Sequence, residues 1–100
     1  MGGGALQLFI ISKEHEAIRQ QLASMIVGNT ILHGQSGYQG ESTDVIMCVT
    51  NGRELHGVQM AILDIDPEAF ITISAVKEVK GRGYSFDHGL AKQIRKEQGK

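Results

Sequence analysis

Two helical stripes of apolar residues, each set between short apolar runs, most constrain how this chain can fold. The first stripe consists of Ile18, Leu22, Met25 and Ile26. The second stripe consists of Leu55, Val58, Ile62 and Ile65. Spacings of three and four residues place each set on one face of an α-helix. The sequence therefore predicts two amphipathic helices that need an apolar surface to pack against.

Four apolar runs are typical of strands, because they are short, rich in β-branched residues and bounded by turn residues. They cover residues 6–11, 30–37, 44–50 and 69–76. With the helices between them, the element order is β-α-β-β-α-β. Two right-handed β-α-β crossovers joined by a hairpin predict an α+β, ferredoxin-like sandwich. It has one four-stranded antiparallel sheet and two helices on one face, with the first and third strands central.

The helix ends also have sequence signals. Ser12 can cap the first helix, and Gly28 is placed to end it. Asn51 followed by Glu54 resembles a capping box at the start of the second helix. Pro67 disfavours helical conformation in the residue before it, so the second helix should stop there.

Both central strands are apolar on both faces, which helices on one face cannot cover. Leu6, Leu8 and Ile10 alternate with Phe9 and Ile11 in the first strand. The third strand has Val45, Met47 and Val49 on one face and Ile46 and Cys48 on the other. We therefore expect the second face to pack against another subunit or another part of a longer protein.

Charge divides the chain into two unequal parts. Residues 1–76 carry three basic and eight acidic side chains, whereas residues 77–100 carry seven basic and three acidic ones. We divide the chain into a linker over 1–5, one domain over 6–86 and a basic tail over 87–100. The tail is either a solvated end or a segment attracted to an anionic partner. No apolar run approaches the roughly 20 residues of a membrane-spanning helix.

The stretch HGQSGYQG, residues 33–40, admits two interpretations. A phosphate-binding glycine loop normally opens onto a helix, but this one leads into a strand. The first interpretation is a hairpin turn in which Gly37 and Gly40 supply positive φ angles. A ligand contact completed by another subunit comes second. Its candidate residues are Gly34, Gly37, Tyr38 and Gly40, with Arg82 and Gly83 of the closing glycine turn.

The aromatic residues of the glycine loops, Tyr38 and Tyr84, have two possible roles. Exposed rings there could stack on a base or seal a subunit contact, and the alternative is that each anchors its own loop.

No catalytic, metal or cofactor site is predicted. The histidines His15, His33, His56 and His88 do not pair with one another or with Cys48 at metal-ligand spacing. Cys48 lies in an apolar strand and is expected to be a buried hydrophobic side chain. No Ser/His/Asp set or inward carboxylate pair is present, so we expect no enzymatic activity. The basic motif with interleaved aromatics that reads RNA is also missing, and we expect no nucleic-acid binding.

Three stretches resemble one protein family: GNTILHGQSGYQGE, VIMCVTNGREL and IDPEAFITISAVKEVKGRGYSF. Their glycine-rich loop, Arg-Glu pair, Asp-Pro-x-Ala-Phe motif and closing Glu-Val-x-Gly-x-Gly resemble the C-terminal cytoplasmic domain of YitT-type bacterial membrane proteins. The resemblance spans roughly residues 6–86. It implies a domain without an established biochemical function and a fold similar to that of PII-like signalling proteins. Those proteins often form trimers and bind nucleotides or other small effectors between subunits.

The resemblance also implies transmembrane helices ahead of the domain in the full-length protein. This chain would then be the soluble part on the cytoplasmic side of the bacterial membrane. We expect a homo-oligomer, a trimer or a dimer, with a nucleotide or another small anionic effector as a possible partner. The expected function is a regulatory ligand-sensing or assembly module of a membrane protein. The alternative is a pure homo-oligomerisation module, and an enzyme has the least support.

Overall fold

The computed structural model describes residues 4–81 and contains the expected element order. The elements are β1 (Ala5–Ile11), α1 (His15–Ser24), β2 (Asn29–Gln35), β3 (Ser42–Asn51), α2 (Gly52–Ile65) and β4 (Phe70–Val76). The strands form one antiparallel sheet in the order β2-β3-β1-β4, so β1 and β3 are central. The prediction of a ferredoxin-like α+β sandwich is confirmed.

The hydrophobic core lies between the helices and one face of the sheet. Its members, all at most 3% exposed, are Leu8, Ile10, Ile18, Leu22, Val27, Ile46, Cys48, Val58 and Ile62. Burying one such aliphatic side chain contributes about 1.5–3 kcal/mol. Burial also raises the pKa of the Cys48 thiol to about 11, because desolvation disfavours the thiolate. Cys48 is thus a buried hydrophobic side chain, as expected.

Both ends of α2 follow the sequence signals. The Asn51 side-chain oxygen Oδ1 accepts a hydrogen bond from the Glu54 backbone N–H at 2.8 Å. Asn51 is buried, so this N–H donor has its partner inside the protein. The helix ends at Ile65, and Asp66 before Pro67 has extended backbone angles.

The start of α1 differs from the expectation. The cap residue is Glu14, whose side chain makes no capping hydrogen bond. Ser12 lies two residues further out, where its hydroxyl oxygen accepts the Glu14 N–H at 2.9 Å. That hydroxyl also donates to the Asp66 carboxylate, so a tertiary contact holds Ser12 outside the capping position.

The end of α1 also differs. The helix stops at Ser24, and the left-handed residue is Ile26, with φ 61°, rather than Gly28. The Val27 N–H bonds to the Leu22 carbonyl and the Ile26 N–H to the Ala23 carbonyl, which is a Schellman motif. A left-handed β-branched residue costs about 1–2 kcal/mol. Burial of Val27 against Leu22 in the core offsets that cost.

Replacing the cap of α2 tests this account of its start. We expect Asn51→Ala to lower the free energy of unfolding by about 1 kcal/mol, because the Glu54 N–H loses its acceptor. Urea denaturation of the purified chain measures the change. Asn51→Ser is the matched control, since it keeps an oxygen at the cap. An Asn51→Ala variant as stable as the parent chain would contradict the assignment.

Candidate functional site

Four strand ends meet at one end of the sheet, which we call the hairpin end. The registers place the last residues of β1 and β2 beside the first residues of β3 and β4. Ile11, for example, pairs with both Val45 and Phe70. The β1–α1, β2–β3 and α2–β4 loops all leave from this end. Loop residues distant in sequence are therefore brought together here.

A cleft of about 690 Å³ opens at the hairpin end. Ile11 and Phe70 form its apolar part. The other lining side chains that carry charge or can gain it are Lys13, His15, Glu41, Asp44, Asp66 and Glu68. Four carboxylates against one lysine make the cleft acidic, so it does not suit an anionic ligand.

Asp44 connects β3 with two other elements. Its Oδ1 lies 2.8 Å from His33 Nδ1 on β2, and its Oδ2 lies 3.7 Å from His15 Nε2 at the start of α1. His33 and Asp44 are direct partners in the sheet register. This arrangement gives both histidines a structural role, since the carboxylate joins the edge strand and the helix to a central strand.

A second contact closes the other wall of the cleft. The Ser12 hydroxyl donates to Asp66 Oδ2 at 2.5 Å, and the Glu68 N–H donates to Asp66 Oδ1 at 2.9 Å. Both hydrogen bonds hold the pKa of the Asp66 carboxyl below its ordinary value, and the one from Ser12 has the larger effect. The pair links the β1–α1 loop to the α2–β4 loop across 54 positions of sequence.

The glycine stretch forms the hairpin turn that was its first interpretation. We call residues 35–40, the last residue of β2 and the turn that follows it, the hairpin arm. The Ser36 N–H bonds to the Glu41 carbonyl and the Gly40 N–H to the Ser36 carbonyl, both at 2.7 Å. Gly40 has φ 75°, as expected, whereas Gly37 does not need a positive angle. Hydrogen bonds across the turn hold the arm in one conformation.

Tyr38 at the tip of the arm is 95% exposed. It therefore does not anchor its own loop, which was the alternative interpretation. A large ring held in solvent by an ordered turn is instead available to a partner.

The residues predicted to bind a ligand lie beside the cleft and do not line it. Gly34 pairs with Thr43 near the end of β2, and Gly37, Tyr38 and Gly40 lie in the arm. Arg82 and Gly83 lie outside the described residues. β4 ends at Val76, which pairs with Ala5 at the end of the sheet opposite the arm. The proposed grouping of both glycine loops around one ligand stays a prediction.

The sheet face opposite the helices, which we call the open face, is apolar in one half. The register aligns Leu32, Val45, Ile11 and Phe70 in one row across all four strands at the hairpin end. The next row is Thr30, Met47, Phe9 and Thr72. Further from the hairpin end come Gln7 and Ser74 beside Val49. We call the first two rows the apolar half.

The apolar half is in contact with solvent. Phe70 is 60% exposed, and Phe9, Ile11 and Leu32 are 37%, 39% and 42% exposed. Within residues 4–81 no element packs on this face. The two-sided apolar pattern of the central strands is thus confirmed, and the structure concentrates it at the hairpin end.

The part of the chain that the structure describes contains neither a metal-binding cluster nor a membrane-spanning helix. No group of three or more His, Cys, Asp or Glu side chains there could hold a metal ion. Among those same residues, no helix has both the length and the apolar character needed to cross a membrane.

Comparison with known proteins identifies relatives. A family model described as "Uncharacterized protein conserved in bacteria (DUF2179)" matches residues 27–81. The chain is 40% identical over 79 residues to UPF0750 membrane protein YpjC of Bacillus subtilis, covering 78% of this chain and 27% of that protein. A crystal structure of a DUF2179 protein from Eubacterium ventriosum has a TM-score of 0.62 and 30% identity, covering 70% of this chain and 97% of the other.

A structure of CutA from Synechococcus elongatus shares the fold, with a TM-score of 0.52 at 17% identity, covering 82% of this chain and 86% of the other. These matches confirm the resemblance to the domain of YitT-type membrane proteins and the ferredoxin-like, PII-like architecture. The chain spans about a quarter of the length of the Bacillus membrane protein.

Removing the Ser12 hydroxyl tests the link across the cleft. We expect Ser12→Ala to raise the pKa of Asp66 toward the ordinary value of about 3.9. A carboxyl whose folded pKa is depressed stabilises the fold above its unfolded pKa, and this contribution is lost as the pH falls through the folded pKa. The variant should therefore lose less stability on acidification. Carboxyl-carbon NMR titration measures the pKa, with Ser24→Ala as control. An unchanged Asp66 titration would refute the link.

Proposed function

Because the chain belongs to the DUF2179 family of uncharacterized bacterial proteins, which includes a solved structure of the same fold, we propose that it is a non-catalytic assembly module of a membrane protein. Copies of the module associate through the open face of the sheet. The observation that carries this proposal is the apolar half, in which Phe70 is the most exposed large side chain.

The composition of the apolar half supports a surface for association rather than one that stays in contact with water. Scattered single apolar residues are ordinary on protein surfaces, but contiguous apolar rows mark interaction sites. The rows here contain no charged side chain, and threonines flank the second row. A second copy presents the same surface, so a two-fold or cyclic arrangement buries both copies at once.

The relative's name supports the membrane setting. YpjC is named a membrane protein, and this chain matches only 27% of its length. We place the module on the cytoplasmic side, where the seven basic residues of 77–100 would lie near an anionic leaflet. Tethering to a membrane would raise the local concentration of the module and favour assembly.

Ligand sensing is a second candidate function, supported by the geometry of the hairpin arm. Nothing lies within 4 Å of the positions that side chains would occupy at Gly37 and Gly40, so a ligand could approach this backbone. Arg82 and Gly83, which lie outside the described residues, would complete such a site from another copy. A small anionic effector would bind there rather than in the acidic cleft.

A charge placed in the apolar half tests the assembly function. We expect Phe70→Glu to shift the chain toward monomers in sedimentation experiments at micromolar concentration, because burying an unpaired carboxylate is unfavourable. Ser74→Glu is the matched control, since Ser74 lies on the same strand and face outside the apolar half. A parent chain that sediments as a monomer, or equal effects of both variants, would refute the proposed interface.

Calorimetry tests the sensing function. We expect ATP or a cyclic dinucleotide to give a binding heat with the parent chain, and Arg82→Ala to weaken it by about tenfold, since a guanidinium–phosphate pair is a strong charge-assisted contact. Lys13→Ala, in the cleft, should leave binding unchanged. The absence of heat across the nucleotide panel would remove this candidate and leave the assembly function intact.

A further inference from the structure

We propose that the hairpin arm of one copy inserts Tyr38 into the cleft of a second copy, so that two copies exchange arms about a two-fold axis at the hairpin end. This inference rests on the proposed assembly function and specifies its geometry. It is carried by three features that share that end of the sheet: the exposed ring, the cleft and the apolar half.

The size of the apolar half requires additional contact area. Strands about 4.8 Å apart and rows about 7 Å apart give two rows an extent on the order of 300 Å². A partner in a standard interface contributes about 800 Å². The apolar half alone falls short of this value, so a stable pair of copies needs contacts from the surfaces beside it. The arm and the cleft are those surfaces.

The chemistry of the arm matches that of the cleft. Residues 35–40 carry no charge, so the arm itself meets the acidic lining without repulsion, and Glu41, which follows the arm, lines the cleft of its own chain. The phenol ring of Tyr38 can pack on Ile11 and Phe70, which line the cleft. Its hydroxyl is a donor, and Asp66 and Glu68 offer carboxylate acceptors. Tyrosine in such a position is a typical binding hot spot.

The arm is preorganised for this contact. The Gln35 side-chain amide donates to the Gly40 carbonyl at 2.9 Å, and the Gln39 N–H donates to the Ser36 hydroxyl at 3.3 Å. With the backbone bonds across the turn, they hold the tip in one shape, so little entropy is lost on binding. Tyr38 is 95% exposed and therefore does not enter the cleft of its own chain.

A two-fold arrangement gives both copies the same contacts. The arm and the cleft are different surfaces of one molecule, but they lie at the same end of the sheet. A two-fold axis through that end sets each arm beside the other copy's cleft and brings the two apolar halves together. Phe70 and Ile11 contribute to both surfaces, so the contact is continuous.

Cysteine cross-linking between separately tagged chains tests the exchange. Gln39→Cys in one chain and Glu68→Cys in the other should form a disulfide-linked pair under mild oxidation. Gln39→Cys with Met60→Cys is the matched control, because Met60 is exposed on α2 away from the cleft. The native Cys48 does not interfere, since its thiol is buried with its pKa raised to about 11.

Two further variants separate this inference from the assembly function. Adding Tyr38→Ala to the Gln39→Cys chain should abolish the cross-link. Tyr38→Ala alone should raise the dimer Kd by at least about tenfold. Gln39→Ala, the control, should leave the dimer Kd unchanged. A chain that dimerises without the cross-link, or links equally to Met60→Cys, overturns the arm exchange while the assembly function stands. A monomeric parent chain overturns both.

Discussion

The structure depends on one imbalance: the two central strands are apolar on both faces, and two helices can cover only one of them. Leu8, Ile10, Ile46 and Cys48 lie under the helices and are essentially excluded from water. Their neighbours along the strands, among them Phe9 and Ile11, remain in contact with it. The same alternation that builds the core therefore creates an apolar surface, and the proposed function of the domain follows from that surface.

The exposed apolar row, the acidic cleft and the hairpin arm all lie at the hairpin end of the sheet. The antiparallel register aligns one apolar residue from each of the four strands there, and it gathers three loops around the acidic cleft. Asp44 and the Ser12–Asp66 pair hold the walls of that cleft by contacts between elements. The ordered arm with its exposed tyrosine stands at the same place. This end thus has the rigid walls and the unburied groups that a recognition surface requires.

Several local features arise from tertiary contacts that override sequence signals. Ser12 has the chemistry of a helix cap but is held outside the cap by its bond to Asp66. Gly28 is a suitable helix terminator, yet the chain turns at Ile26 because Val27 is drawn into the core. In both cases a contact made by a residue outside the helix decides between two locally acceptable conformations.

The sequence by itself determined the element order, the central strands, the cap of α2 at Asn51 and the two-sided apolar pattern, because these depend on periodicity and on short-range backbone chemistry. The His33–Asp44 pair could have been predicted from the hairpin register alone, because the two residues are direct partners in it. The cleft, the Ser12–Asp66 bond and the concentration of apolar residues in one half of the open face were decided by the tertiary structure. They join residues far apart in the sequence, 54 positions in the case of Ser12 and Asp66, and no local pattern encodes such distances.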